Sequence, residues 1–129
     1  MPLIKQTYKI KAPIKRVWAA LVDPKEISGW GAGSAKMSAK PNAKFSLWAG
    51  SIYGKNLEVV AEKKLKQQWF GGDWPKPSLV EIFLKERGGI TEIRLIHKDL
   101  PRDELKAITQ GWKDYYFGPM KEYLEKKKQ

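Results

Sequence analysis

From Leu105 to Tyr123 the chain carries a stripe of bulky side chains that needs a broad surface to cover it. Leu105, Ile108, Trp112, Tyr115, Tyr116, Pro119 and Tyr123 fall on one side of a helix at 3.6 residues per turn. The stripe spans roughly 140° of that helix, wide enough to lie across a sheet. Gly118-Pro119 interrupts it. Pro119 cannot donate to the carbonyl of Tyr115 and its ring crowds that turn, so a kink is expected there.

The surface for this helix is legible upstream. Residues 3–11 alternate apolar and polar, the pattern of a half-buried strand. Pro13 suits the first turn of a helix that places Val17, Trp18, Leu21 and Val22 on one side. Asp23-Pro24 ends it and starts a second helix, with Asp23 as cap and Glu26 three residues on, reaching about Trp30. Gly31–Ser34 reads as a loop. From Ala35 to His97 strands alternate with turns. Strands are expected at Phe45–Ala49, Ile52–Ala61 and Leu65–Phe70, with a Gly- and Pro-rich loop over Gly71–Pro77. Leu79–Lys85 and Ile90–His97 form the clearest hairpin, turned by Arg87-Gly88-Gly89. Val80, Ile82 and Leu84 share one face of its first arm, and Thr91, Ile93, Leu95 and His97 one face of its second. The order predicts an α+β domain with a curved antiparallel sheet, occupying residues 1–129 as one unit.

Charge and composition narrow the function classes. The net charge is +11, from 25 Lys and Arg against 14 Asp and Glu. Such a field attracts anions, although a Lys-rich solvated surface is the plainer reading. Lys5, Lys9 and Lys11 look like the wet face of a strand, and Lys126, Lys127 and Lys128 like a tail. Arg, the better residue for bidentate phosphate contacts, is scarce. The absence of RNP- or OB-like signatures argues against a nucleic-acid partner. No cysteine is present, so disulfides, thiolate metal sites and a Cys nucleophile are excluded. No apolar run suits a signal peptide or a membrane span, which predicts a cytoplasmic protein with no membrane insertion.

Catalytic motifs are missing. There is no HExxH, GxSxG or GxxxxGK[ST], and Gly50–Lys55 is one residue short of a phosphate loop and leads into no helix. His97 is the sole histidine. It would serve as a general base only if a carboxylate oriented it, and Asp99 is merely near in sequence. A structural or rim histidine is the plainer reading. No motif implies a cofactor or a metal. The six tryptophans are more telling, because bulky aromatics line apolar pockets as well as cores. Where a long helix crosses a concave sheet, mismatched curvature leaves a gap. Trp48, Tyr53, Trp69, His97, Trp112 and Tyr116 are the candidates to line it.

Two stretches carry a family resemblance. Val17-Trp18-Ala19-Ala20-Leu21-Val22-Asp23-Pro24, followed by Trp30, resembles the first helix pair of the START/Bet v 1-like (SRPBCC) superfamily. Phe45-Ser46-Leu47-Trp48-Ala49-Gly50, then Gly54, and later Gln110-Gly111-Trp112-Lys113-Asp114-Tyr115-Tyr116-Phe117 resemble the C-terminal domain of activators of the ninety-kilodalton heat-shock chaperone's ATPase (AHSA). The likeness runs from about Tyr8 to Leu124. It implies a helix-grip fold, β-α-α-β6-α. It further implies either a non-enzymatic binding domain for a small hydrophobic molecule or a co-chaperone-like stress protein that binds a heat-shock chaperone. A small enzyme using His97 or a tyrosine as acid/base is a third reading, with no oriented pair to support it.

Overall fold

The computed structural model describes residues 3–126. Lys127 and Lys128, assigned above to a tail, lie outside the described residues. Six antiparallel strands form one sheet in the order β1-β6-β5-β4-β3-β2. They are β1 (Leu3–Ile10), β2 (Lys44–Leu47), β3 (Ile52–Val60), β4 (Lys64–Gly71), β5 (Ser78–Arg87) and β6 (Ile90–Lys98). Helices α1 (Ile14–Val22) and α2 (Pro24–Trp30) follow β1. The C-terminal helix runs as α3 (Leu105–Gly111), a π turn (Trp112–Phe117) and α4 (Gly118–Lys126). This is the expected α+β helix-grip, a curved sheet gripping a long C-terminal helix.

Among the described residues five strands, not six, follow the helix pair. The place of the missing one is held by a single antiparallel bridge, Lys36 to Ser46. The strand expected over Phe45–Ala49 stops at Leu47. Trp48 and Ala49 turn left-handed there, with φ of 50° and 55°. Their N–H groups donate to the carbonyls of Ala32 (2.7 Å) and Ser34 (3.0 Å), which fixes the turn.

The other signals resolve as the chemistry dictates. Asp23 accepts the Lys25 N–H at 2.9 Å and Pro24 opens α2. The β5–β6 hairpin closes on Gly88-Gly89, both at positive φ, as a two-residue turn of this twist requires. Strand alternation buries Val80, Ile82 and Leu84 against Thr91, Ile93, Leu95 and His97.

The C-terminal helix covers the open edge of β1, which would otherwise offer unpaired backbone to other chains. Gln6 donates to the Thr109 carbonyl (2.9 Å), and Lys121 to the Lys9 carbonyl (2.8 Å). The Lys11 N–H donates to Glu125 (2.9 Å). That backbone bond, helped by Lys121, holds the Glu125 carboxyl below its ordinary range. Arg16 in α1 ties to the Leu124 carbonyl at 3.0 Å.

Pro119 leaves its mark as a π turn. The Gly118 N–H donates to the carbonyl of Lys113, five residues back. A β-carbon on Gly118 would stand 2.2 Å from that same oxygen, so only glycine fits. The wide turn consumes about one extra residue, which rotates the buried face by roughly 100°. The expected stripe therefore holds through Trp112 and Tyr116, then passes to Phe117, Met120 and Leu124, all buried. Tyr115 is left 67% exposed.

Candidate functional site

The π turn delivers Trp112 and Tyr116 onto the inner face of the sheet, where Trp69 of β4 meets them. Trp69 and Trp112 stack with ring centres 4.7 Å apart, and Tyr116 packs 4.7 Å from Trp112 and 4.8 Å from Trp30. Trp48, placed by its left-handed turn, approaches Tyr116 edge-on at 6.3 Å.

Between these rings lies an apolar groove of about 350 Å³. Its walls are Trp48, Ser51 and Ile52 on one side and Trp69 at the base. Ala107, Ile108, Gly111, Trp112, Tyr115 and Tyr116 of the C-terminal helix close the other side. Ser51, Ile52 and Ile108 are shared with a more polar recess that adds Asp73, Asp103 and Glu104. The groove is thus greasy within and wet at one end.

Four of the six expected lining residues, Trp48, Trp69, Trp112 and Tyr116, meet here. Tyr53 does not. Strand alternation puts it on the outer face of the sheet, stacked on Phe70 at 5.3 Å and 43% exposed. His97 is fully buried behind the two stacked indoles.

The surroundings of His97 fix its chemistry. The Trp112 indole N–H, which can only donate, reaches Nδ1 at 3.0 Å. The ring proton therefore sits on Nε2, which donates to Ser78 Oγ at 2.8 Å. The Ser78 hydroxyl in turn donates to the Trp69 carbonyl at 3.0 Å. Burial lowers the imidazole pKa to about 4, so the ring is neutral at pH 7. Both nitrogens are occupied and Asp99 takes no part. His97 thus braces Trp112 and Ser78 behind the groove wall.

A second chain of hydrogen bonds starts from the same tryptophan. Trp69 Nε1 donates to Gln67 Oε1 (2.8 Å), and Gln67 Nε2 to Asn56 Oδ1 (2.9 Å). Asn56 Nδ2 then donates to the carbonyls of Ser38 and Lys40. Gln67, Asn56 and Ser78 were not among the expected site residues. Parity carried the signal: Gln67 shares its face with Leu65 and Trp69, and Ser78 with Val80 and Ile82.

Tyr116 differs from its neighbours. Its side chain is 2% exposed, yet its hydroxyl makes no hydrogen bond among the described residues, whereas no fully buried side-chain polar atom lacks a partner. The hydroxyl therefore meets the groove. Burial raises its pKa, so it stays protonated and able to donate.

Comparison with known proteins gives a consistent picture. The family model described as activator of Hsp90 ATPase homolog 1-like protein matches residues 11–125. An uncharacterised protein of Schizosaccharomyces pombe is 29% identical over 120 residues, covering 92% of this chain and 36% of its own. The activator of 90 kDa heat shock protein ATPase homolog 1 of Homo sapiens is 29% identical over 90 residues, 68% of this chain and 27% of its own. The chain thus spans about a third or less of these relatives. An HSP90 activator from Plasmodium falciparum superposes with a TM-score of 0.85 at 22% identity, covering 92% of both chains, which supports the fold.

Proposed function

We propose, for a chain that belongs to the family of activator of Hsp90 ATPase homolog 1-like proteins, that the groove beside the C-terminal helix binds a small apolar molecule. The observation that carries this reading is the groove itself. It is walled by three indoles, and Ser51, Tyr115 and Tyr116 bring hydroxyls to its lining. Burial of apolar surface supplies the affinity, and the buried Tyr116 hydroxyl helps fix orientation by donating to an acceptor on the ligand. Native mass spectrometry of the purified protein, set against its denatured mass, tests the proposal. A reproducible excess of small-molecule size supports it. Together, a bare mass and no thermal shift with a panel of lipids and aromatic compounds overturn it.

A second reading, docking on a heat-shock chaperone, is favoured by the likeness to activators of the 90 kDa heat-shock protein's ATPase and by the +11 charge. Salt-sensitive stimulation of a purified chaperone's ATP turnover supports it. No binding at micromolar concentration contradicts it.

A further inference from the structure

The outer face of the sheet, opposite the groove, holds an arrangement that packing does not explain. Lys44 of β2 and Lys55 of β3 are direct cross-strand partners. Like charges directly opposite each other destabilise a sheet. Neither lysine has an ion-pair partner among the described residues. The next outward pair along these strands is Ser46 and Tyr53. Tyr53 stacks on Phe70 with ring planes 10° apart. On its other side the register sets Ser46, too small to cover a ring, and Tyr53 stays 43% exposed. The outer-face carboxylates of this sheet are Glu58, Glu81 and Glu92, and Lys64 pairs with the first two. None stands in the row of Tyr53, which ends at Phe70, or in the row of Lys55, which continues through Gln68 and Leu79 to Lys98.

We propose that this face binds single-stranded nucleic acid. A base stacks on Tyr53 over Ser46, and its phosphate settles between Lys44 and Lys55, about 7 Å along the strand. The phosphate removes the repulsion of the lysine pair, and following phosphates track toward Lys98. An acidic polypeptide would neutralise the lysines but would leave the open ring face unused. One nucleotide supplies both the flat group and the anion. The missing RNP- and OB-like signatures weigh against such a partner; the Tyr53–Phe70 platform of β3 and β4 and the lysine pair beside it weigh for one.

Fluorescence anisotropy with the full chain and a labelled oligothymidylate of roughly twelve nucleotides, or its uridylate counterpart, at about 50 mM salt tests this. The expected result is saturable binding that weakens as salt rises. Tyr53→Ala should lose about tenfold in affinity and Tyr53→Phe should keep it. The double variant Lys44→Ala/Lys55→Ala should reduce the salt dependence. Circular dichroism of each variant separates lost binding from lost fold. No binding by a folded wild-type chain, Tyr53→Ala binding like wild type, or polyglutamate displacing the strand as well as unlabelled strand does would each overturn the proposal.

Discussion

At the scale of single residues, the site depends on polar groups locked behind aromatic ones. His97 titrates at about 4 in the folded chain against 6.5 ordinarily, because burial disfavours the imidazolium. The unfolded chain therefore takes up the proton first. The stability His97 confers is complete above pH 6.5 and is lost as pH falls toward 4. The loss approaches about 1.4 kcal/mol per pH unit, on the order of 3 kcal/mol in all. Urea unfolding between pH 7 and 4.5 should show this decline, and His97→Gln should flatten it at a lower overall stability. A wild-type profile flat over that range would contradict the buried neutral ring. Asn56→Ala strips Gln67 of its acceptor and frees the carbonyls of Ser38 and Lys40. The expected cost is about 1–3 kcal/mol in the same assay.

At the scale of elements, the π turn decides which residues face the sheet. Gly118→Ala pushes a methyl group against the Lys113 carbonyl, so the turn must open or reregister. We expect a loss of about 2 kcal/mol or more, read by thermal unfolding, with Trp112 and Tyr116 displaced from Trp69. An unchanged melting temperature would show that the turn is not held by Gly118. The elements were largely legible in the sequence, because period-2 alternation and the 3.6-residue stripe are each imposed by burial of one face. What period alone could not reveal was the extra residue at Gly118-Pro119. The proline announced a break, but its form depends on the Gly118 N–H reaching the Lys113 carbonyl, five residues back, which no sequence period encodes. The left-handed turn at Trp48-Ala49 was equally hidden, since neither residue favours positive φ and the turn is enforced by Ala32 and Ser34. Four groove residues were nonetheless found from sequence. They sit where strand parity and helix stripe converge, whereas Tyr53 fails that parity.

At the scale of the whole molecule, the two faces of the sheet divide the work. The inner face and the C-terminal helix make an apolar groove of about 350 Å³, while the outer face gathers lysines around an exposed ring pair. Gly111 offers a way to test the groove without damaging the fold. It lines the groove in mid-helix, and a β-carbon there meets only Tyr115, at an ordinary 3.8 Å. Gly111→Leu should raise helix stability by about 0.5–1 kcal/mol while filling the space with its side chain. The decisive measurement is a titration of wild type and Gly111→Leu with the apolar fluorophore 8-anilinonaphthalene-1-sulfonate, alongside their melting temperatures. Saturable enhancement with wild type, lost in a variant that melts no lower, is the predicted result. Equal enhancement by both proteins, or none by the wild type, would contradict a binding groove.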